Sequence, residues 1–370
     1  MKILVLSNCP LVETQGSGYI IMHTAESFRT LGHTVDMIAP EQQELLPKLG
    51  GKAKLYRMAL GMGLWALKNK KTFQQYDLII YYGAECYLAL HVIKKIFKLK
   101  IPVVLHSNGL EVHNGYVFKM FKQYLDSQTK WYFIDMGRLF KYTYKKADAI
   151  FVLSDFNRDF AISDLQIKPE KIFTLEPCLP DVFFETTIPE SERRQIITYC
   201  GTWITRKGTV SIERSMPEIL RKYPDYIFRI IGVGDGFDKS AYFPADVLNR
   251  IEVYPLVKSK EKLMELYAES EIFLFPSFCE SFGLVVAEAM FCGCCTITGP
   301  TGFAARVKNG TEALVLPVPE SGAVTKALEK LISSPDLRNS MSVAAKAAVQ
   351  NLKWSVYTQN LEQVIKKIVP

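Results

Sequence analysis

The sequence lacks a long apolar run. No segment approaches the roughly 18 uninterrupted apolar residues that a membrane-spanning helix needs, so we do not expect the chain to cross a membrane by itself. The opening MKILVLSNCPLV carries a single lysine, and Ser7, Asn8 and Pro10 interrupt its short apolar run, which is too little for a secretory signal. We therefore expect the protein in the cytoplasm.

Cysteine and histidine do not combine into a metal site. The eight cysteines are scattered, and the cluster Cys292, Cys294 and Cys295 contains neither CxxC pairs nor histidine partners. Asp235 and Asp238 make no credible metal pair, and the stretch IIGVGDG has no GxGxxG that opens a helix. The sequence thus indicates buried thiols in a reducing compartment, no metal and no bound cofactor.

Basic residues outnumber acidic ones, and the excess is unevenly distributed along the chain. The net charge is +7, but residues 42–146 contain 18 Lys+Arg against 6 Asp+Glu, so the rest of the chain is net acidic. Within this region LPKLGGKAKLYRMALGMGLWALKNKK mixes lysines with helically spaced aliphatic residues rather than aromatic stackers. That mixture favours contact with an anionic membrane surface over nucleic acid, and a merely solvated basic helix is the alternative.

Two domains are predicted from the length and from the order of segments. The chain has 370 residues, which is more than the length of about 250 to 300 residues at which a single hydrophobic core stops growing. Strand-like and helical segments alternate in two successive series, which predicts two α/β domains, each a doubly wound parallel sheet. The polar stretch ETTIPESERRQ sets the boundaries at 1–185 and 186–353, and a helix at about 354–370 is expected to pack back onto the first domain.

The predicted strands are short apolar segments that end at polar or glycine residues. In the first series they lie at 2–10, 33–40, 76–83, 101–109, 147–155 and 171–177. In the second series they lie at 196–203, 226–236, 250–257, 272–277, 295–300 and 313–318. Ligands of such sheets bind outside the carboxyl ends of the strands, so the loops there are the candidate sites, in a crevice that the two domains share.

Two glutamates mark one of these loops. Glu280 precedes a helix that is predicted from Leu284 to Cys292, and Glu288 lies within it among apolar neighbours on every face. A buried carboxylate costs several kcal/mol unless it is paired or hydrogen-bonded. Its partner is either a basic side chain, such as Arg306, or the vicinal hydroxyls of a ligand, and spacing alone does not decide between them.

Two anion-binding features accompany the glutamates. The N–H groups around Phe282, Gly283 and Leu284 begin a helix, whose dipole attracts negative charge. Arg206 and Lys207 follow another strand in CGTWITRKGTV, where they could neutralise a diphosphate. Carboxylates on either side of an anion-binding site suit a ligand with hydroxyl groups at both ends and phosphate in the middle. A nucleotide sugar is such a ligand.

The first domain offers weaker candidates. ETQGSGY places Gly16, Ser17 and Gly18 after the first strand, where bare backbone could approach a ligand. LHSNGLEVH places polar groups at or beyond another strand end, and Asn108, His106 and His113 are the candidates we draw from it.

These motifs resemble glycosyltransferase family 4, retaining sugar transferases of the GT-B fold. PSFCESFGLVVAEAM is similar to the E-x7-E signature of that family and GTWITRKG to its phosphate loop, while ADAIFVLSDFNRD and GPTGFAARVKNGTEALVLP match further blocks. The likeness covers nearly the whole chain. It is strongest from 196 to 318 and weakest from 42 to 146.

The resemblance implies a role for each matching residue. Glu280 would face the donor sugar, Lys207 would bind the diphosphate, and Glu288 would hold the ribose. Main-chain donors at Phe282, Gly283 and Leu284 would meet phosphate or sugar, and Gly16 with its neighbours would face phosphate or acceptor from the other domain. It also implies two domains that face a central cleft and a reaction that needs no metal.

The chain departs from the family pattern at two positions. Thr202 stands where an arginine often follows the phosphate-loop glycine, so Arg206 either supplies the missing charge or donor binding is weaker. Asn108-Gly109 replaces a frequent His-Gly, so no catalytic histidine is assigned.

Three functional hypotheses follow. The first is a retaining transferase that moves a sugar from a nucleotide donor to a lipid-linked or saccharide acceptor in glycan biosynthesis, at the cytoplasmic membrane face. The second is a nucleotide-sugar epimerase or a phosphorylase on the same fold. The third is a non-catalytic sugar- or membrane-binding protein or a partner-dependent pseudo-enzyme, with which the two departures are consistent.

Overall fold

The computed structural model describes residues 1–13, 16–49, 54–125, 137–186 and 193–369. Its described residues form two compact units. The first contains residues up to 115, 137–177 and those from 354 onward. The second contains residues 116–125 and the described part of 178–353.

The first unit is built on a six-stranded sheet in which every neighbouring pair of strands is parallel. Its strands are β1 (Lys2–Leu6), β2 (Thr34–Ile38), β3 (Leu78–Tyr82), β4 (Val103–His106), β5 (Ala149–Val152) and β6 (Ile172–Thr174). Their order is β2-β1-β3-β4-β5-β6, so the direction of winding changes between β1 and β3. Strands β3, β4 and β5 are buried throughout, as expected where helices cover both faces of a sheet.

The helices of this unit connect its strands. They are α1 (Gly16–Thr30), α2 (Lys54–Lys68), α3 (Lys70–Phe73), α4 (Tyr87–His91), α5 (Glu111–Met120), α6 (Gly137–Lys146) and α7 (Asp155–Ser163), with α5 leaving the unit after residue 115. A π-helical turn, Val92–Ile96, continues α4. None of the helices that the structure describes in either unit is both long and apolar enough to span a bilayer.

The second unit repeats the plan with a second parallel six-stranded sheet. Its strands are β7 (Arg194–Cys200), β8 (Ile227–Ile231), β9 (Ile251–Tyr254), β10 (Ser270–Phe275), β11 (Cys295–Thr298) and β12 (Leu314–Val315). Their order is β12-β11-β10-β7-β8-β9, so the winding reverses between β7 and β10. This is the order of a dinucleotide-binding fold, in which ligands bind at the reversal.

The helices of the second unit flank this sheet. They are α8 (Val182–Glu185), α9 (Thr209–Lys222), α10 (Lys260–Ala268), α11 (Leu284–Phe291), α12 (Ser321–Ile332) and α13 (Pro335–Ala348). The predicted positions of all twelve strands and of the helix after Glu280 agree with the structure. α11 ends one residue earlier than expected, and Gly293 beyond it adopts a φ of 78°, a left-handed conformation that ends helices.

The last helix, α14 (Trp354–Ile368), belongs to the first unit. It packs on α1, where the Trp354 Nε1 donates to the Tyr19 hydroxyl at 2.7 Å and the Thr24 and Tyr357 hydroxyls lie 2.9 Å apart. These contacts are buried, so they fix the helix by hydrogen bonds that water does not compete for.

The division of the chain differs from the expected boundary at residue 185. Residues 178–186 lie with the second unit because the Phe184 ring packs on Phe291, with centroids 4.9 Å apart, and the Leu179 N–H donates to the Leu352 carbonyl. Most of the polar stretch from which the boundary was predicted, 187–192, lies outside the described residues.

Candidate active site

The loops that follow β7 and β10 meet at the reversal of the second sheet. The Phe278 N–H donates to the Arg206 carbonyl at 2.9 Å, and the Ser277 hydroxyl lies 3.1 Å from the same oxygen. Gly208 has a φ of 78°, and a Cβ there would lie 2.0 Å from the Pro276 carbonyl oxygen. Glycine is therefore required at this position for two reasons, its left-handed backbone and the close approach of the neighbouring loop.

This contact brings the two predicted charge groups together. Arg206 Nη1 lies 3.4 Å and Lys207 Nζ 3.8 Å from the same carboxylate oxygen, Glu280 Oε1. The Ser277 hydroxyl lies within hydrogen-bond distance of that oxygen, at 3.2 Å, and Arg206 also donates to the Cys279 carbonyl at 3.0 Å. Two cations thus share one carboxylate, which leaves a net positive group of side chains at the sheet edge.

Helix α11 begins beside this group. Its first residue follows Gly283, whose φ of 84° turns the chain into the helix and whose lack of a side chain leaves the first turn without a side-chain cap. The N–H groups of a first helical turn have no partners within the helix and carry partial positive charge, and Leu284 is the first helical residue here. The Phe282 side chain is buried against Phe303 and its carbonyl accepts from the Phe303 N–H at 2.8 Å, so only its own N–H could meet a ligand.

Glu288 has a side-chain partner that the sequence did not reveal. Its Oε1 accepts from Lys260 Nζ at 2.7 Å, and its Oε2 lies 3.5 Å from the Tyr267 hydroxyl. The carboxylate is almost fully buried, whereas the lysine is partly exposed. Burial lowers the pKa of Lys260, but the Glu288 carboxylate opposes it and the pKa ends above its ordinary value.

Arg306, the cation suggested from the sequence, makes a different contact. Its guanidinium lies 4.7 Å from the centre of the Phe303 ring. The buried charge of Glu288 is therefore balanced by Lys260, which sits at the start of the neighbouring helix α10. No local spacing links residues 260 and 288, so only the packing of α10 against α11 could have identified this lysine.

The thiols near the site are poor nucleophiles. Burial raises the pKa of Cys200 to about 11 and that of Cys279 to about 12. Both remain protonated at neutral pH, and a thiol reacts through its thiolate. The chemistry available at this edge is therefore electrostatic and hydrogen-bonding, from Arg206, Lys207 and Glu280.

The candidates after β1 of the first unit divide into two kinds. Gly18 is buried, and a Cβ there would lie 2.3 Å from the Val12 carbonyl oxygen, so glycine serves the packing of α1 on the preceding loop. Gly16 is exposed with open space around it, and Ser17 is half-buried. Of the three, Gly16 and Ser17 retain surface that a ligand could meet.

The two histidines are packed into the first unit. His106 is fully buried and stacks on Tyr82 with ring centroids 4.4 Å apart, and burial lowers its pKa to about 3, so the ring is neutral at pH 7. His113 stacks on Phe160 at 4.0 Å, and burial lowers its pKa as well. Neither ring reaches solvent in a way that general acid–base catalysis requires.

Asn108 differs from the histidines. The structure places both polar atoms of its side chain out of contact with water, and within the described part of the chain neither has a hydrogen-bond partner. A buried amide without partners costs about 1 to 3 kcal/mol, which makes it a position where a ligand could supply the missing bonds.

One further carboxylate, at the reversal of the first sheet, was not predicted from the sequence. Glu85 follows β3 and is almost fully buried, and its Oε2 accepts from the Asn8 side-chain amide, after β1, at 3.2 Å. Burial raises the pKa of Glu85. Gly83 between them has a φ of 91°, and a Cβ there would lie 2.1 Å from Asn8 Nδ2 and 2.2 Å from Glu85 Oε2.

Comparison with known families agrees with this architecture. The family model described as Glycosyl transferases group 1 matches residues 183–348, and the model described as Glycosyltransferase Family 4 matches residues 14–179. The chain is a glycosyltransferase of the GT-B type and belongs to glycosyltransferase family 4, as its motifs predicted.

Curated relatives are about a quarter identical to the chain over the segments that align. The α-D-kanosaminyltransferase of Streptomyces kanamyceticus is 23% identical over 80% of this chain and 79% of its own length. The D-inositol 3-phosphate glycosyltransferase of Rhodococcus jostii is 24% identical over 44% of this chain and only 38% of its own length. The chain thus matches less than half of that second relative.

Solved structures establish the fold over the full length. Sucrose-phosphate synthase from Thermosynechococcus elongatus aligns with a TM-score of 0.75 and 17% identity over 99% of both chains. Anabaena HepE, solved in complex with UDP, aligns with a TM-score of 0.70 and 16% identity over 99% of this chain and all of its own. The predicted fold, two doubly wound parallel sheets of the GT-B class, is confirmed.

Proposed function

We propose that the chain is a retaining glycosyltransferase that moves a sugar from a nucleoside-diphosphate sugar to a hydroxyl of a lipid-linked or saccharide acceptor in glycan biosynthesis. The convergence of Arg206 and Lys207 on Glu280, at the reversal of the second sheet, carries the proposal. Similar proteins bind or depend on such donors: HepE was solved with UDP-glucose, and a mannosyltransferase of Corynebacterium glutamicum is GDP-mannose-dependent.

The positive groups are suited to a departing diphosphate. In the proposed step the bond from the anomeric carbon to the diphosphate breaks, the acceptor oxygen bonds to the same face of that carbon, and the hydroxyl proton leaves on the diphosphate. Lys207, Arg206 and the first turn of α11 stabilise the negative charge that develops on the diphosphate. These groups supply positive charge without a metal ion, so we propose a reaction that needs neither a metal nor a cofactor.

Glu280 has a different task in this proposal. Its carboxylate is held by Ser277, Arg206 and Lys207 and accepts hydrogen bonds only, which suits the hydroxyls of the donor sugar. When a diphosphate binds, it competes with Glu280 for the two cations. Sugar hydroxyls would then replace the hydrogen bonds that the carboxylate loses.

Glu288 is proposed to hold the ribose of the donor. An ionised carboxylate has about four acceptor positions, and the Lys260 and Tyr267 contacts leave room for a ribose hydroxyl. We expect Glu288→Gln to weaken binding of the nucleoside diphosphate about tenfold, as the loss of a hydrogen bond to a charged group would. Binding of the 2′,3′-dideoxy analogue should not change. Titration calorimetry measures both, and equal weakening of the two nucleotides would contradict the ribose contact.

A thermal-shift screen of UDP-, GDP- and ADP-sugars tests the proposal first. A ligand at a hundred times its dissociation constant stabilises the folded chain by about 2.7 kcal/mol, which raises the unfolding temperature measurably. We expect one nucleotide class to stabilise the chain and Lys207→Ala to abolish the shift. Lys308→Ala, at an exposed lysine of the same unit, is the matched control. No stabilisation by any sugar nucleotide at millimolar concentration would contradict a donor site.

The reaction itself is tested with the donor that the screen selects. Transfer to lipid-linked and free saccharide acceptors, followed by determination of the anomeric configuration by NMR, distinguishes retention from inversion. Incubation without acceptor that yields an isomerised nucleotide sugar would indicate an epimerase instead. We place this activity at the cytoplasmic face of a membrane, where the basic first unit would meet a lipid-linked acceptor.

A further inference from the structure

Helix α2 presents an apolar stripe to solvent. Tyr56, Leu60, Leu64 and Leu67 expose 48%, 50%, 45% and 46% of their surfaces. They are three or four residues apart, so they lie on one face of the helix. Exposed leucines are common singly, but a continuous stripe of them marks a binding surface.

The opposite face of α2 fixes the direction of this stripe. Met58, Met62 and Ala66 are buried in the core of the first unit. Gly61 approaches the loop before the helix so closely that a Cβ would lie 1.8 Å from the Gln43 carbonyl oxygen. A rotation of the helix that buried the leucines would therefore expose these residues and create a steric clash.

The charged residues of α2 and of the chain beside it are predominantly basic. Between Glu44 and Asp77 the sequence has seven basic residues and no acidic one. Glu44 itself is neutralised, because Arg57 on the buried side of α2 pairs with it at 2.9 Å. Four exposed lysines stand at the two ends of the stripe: Lys54, Lys68, Lys70 and Lys71.

A neighbouring segment extends the same surface. Lys70 Nζ lies 5.2 Å from the centre of the Phe97 ring, so residues that follow α4 adjoin the end of α2. Ile96 there is more than half exposed and is accompanied by exposed lysines at 95, 98 and 100. The sequence from 86 to 110 contains no acidic residue.

We infer that this basic apolar face, the stripe of α2 with Ile96 and the surrounding lysines, binds a bilayer surface that contains anionic lipid. Aliphatic side chains enter the boundary between headgroups and acyl chains while lysines meet the phosphates. A second copy of the chain would bring two positive faces together, which disfavours a dimer through this surface. The inference rests on the proposed function only in that a lipid-linked acceptor would be met there.

Vesicle binding tests the inference without any donor or acceptor. The full chain is mixed with phosphatidylcholine vesicles that either contain or lack phosphatidylglycerol, and the bound fraction is measured by flotation. We expect binding to the anionic vesicles only, weakened by added salt because surface charges are screened. The triple variant Leu60→Gln, Leu64→Gln, Leu67→Gln should lose binding at least tenfold. The triple variant Lys68→Gln, Lys70→Gln, Lys71→Gln should also lose at least tenfold in vesicle binding, since each lysine near the membrane surface contributes about fivefold to the affinity.

Matched controls are available elsewhere on the chain. Val343 and Val356 are exposed apolar residues on other helices, and their glutamine variants should bind as the wild type does. Exposed lysines for the charge control are Lys168, Lys308 and Lys366. Far-ultraviolet circular dichroism verifies that every variant is folded, which is expected because the replaced side chains are partly exposed.

Three outcomes would overturn the inference. They are an absence of binding to anionic vesicles, equal loss in the control variants, and a stable dimer in light scattering that the leucine variant abolishes while vesicles remain unbound. Failure of the transferase proposal would be recognised separately, by the absence of a nucleotide-induced thermal shift. Vesicle binding and nucleotide binding are independent measurements, so each proposal can fail alone.

Discussion

The two sheets place different chemistry at the same topological position. In the second sheet the winding reverses between β7 and β10, and the loops there bring Arg206 and Lys207 to Glu280. In the first sheet it reverses between β1 and β3, and the loops there bring Asn8 to Glu85. The second edge is net positive, whereas the first edge holds the buried Glu85 carboxylate, which accepts a hydrogen bond from the neutral Asn8 amide.

This difference in charge favours different partners at the two edges. A positive edge next to a helix N-terminus attracts a diphosphate. An edge with a buried carboxylate and an amide would repel a diphosphate and favours uncharged hydroxyls. Shared topology therefore provides the position of each site, and the side chains in the loops determine what each binds.

The largest effect is expected when the positive edge loses a cation. Lys207→Ala should lower kcat/KM about a hundredfold to a thousandfold, as the loss of one preorganised charge at a developing anion does. Release of nucleoside diphosphate measures the rate, and Lys308→Ala is the matched control. Wild-type activity in a folded Lys207→Ala chain would contradict the proposal that the positive edge of the second sheet, and not the edge of the first, binds the diphosphate.

Glycines at the two edges should differ in their effect on stability. Gly208→Ala places a Cβ against the Pro276 backbone, which cannot easily move. The nearest atoms to a Cβ at Gly83 belong instead to the Asn8 and Glu85 side chains, which can move more easily. We expect Gly208→Ala to lower the free energy of unfolding by about 3 kcal/mol and Gly83→Ala by about 1 to 2 kcal/mol. Urea denaturation measures both.

Two further glycines separate backbone strain from the steric clash. Gly310 has a φ of 81° but open space around it, so Gly310→Ala reports the strain alone. Gly234 has open space and no positive φ, so Gly234→Ala should be nearly neutral. If Gly208→Ala lowers the free energy of unfolding no more than Gly310→Ala does, then the close contact between the two loops contributes nothing to the effect at Gly208.

A smaller effect is expected at the partner of Glu288. Lys260→Met leaves the buried carboxylate without its cation, and we expect the free energy of unfolding to fall by about 1 to 2 kcal/mol, less than for a fully buried pair because the lysine is partly exposed. The variant Lys260→Met, Glu288→Gln removes both charges and should recover most of the loss. Chemical denaturation of the three variants completes this cycle, and additive losses would mean that the pair is not coupled.

The fold was predictable from the sequence because its signal is local. Apolar segments of strand length that end at polar, proline or glycine residues, with helical periodicity between them, indicated every strand of both sheets. The residues of the positive edge were also identified, since Arg206, Lys207 and Glu280 each lie in a loop at the end of a strand. Their mutual contact was not predictable, because it depends on β7 and β10 being neighbours, and strand order is not a local property.

Pairings between distant residues account for what sequence analysis missed. Lys260 and Glu288 meet only through the packing of two helices, and Asn8 and Glu85 are 77 residues apart in the chain. Glu85 carried no local signal, since a single glutamate after a strand is usually exposed. Burial, which tertiary structure alone determines, is what makes that carboxylate distinctive.

The last prediction concerns Glu85 and has the smallest expected effect, because the Asn8 amide already stabilises the carboxylate in part. Burial raises the pKa of Glu85 above its ordinary value of 4.5, so the folded chain binds this proton more tightly than the unfolded chain does. The contribution of Glu85 to the stability of the fold is therefore fully present below pH 4.5 and is lost as the pH rises through the folded-state pKa. Glu85→Gln should remove this loss, so its advantage over the wild type in urea denaturation should grow with pH.

A control of opposite sign makes this test of the first sheet's edge decisive. The Ser259 hydroxyl lowers the pKa of exposed Glu261, so that carboxylate adds stability above its ordinary pKa and loses it as the pH falls. Glu261→Gln should therefore be the less stable variant at neutral pH. Glu85→Gln should also leave nucleotide affinity unchanged, because the diphosphate is proposed to bind at the other sheet. A variant that instead weakened nucleotide binding as Lys207→Ala does would show that both edges serve the donor.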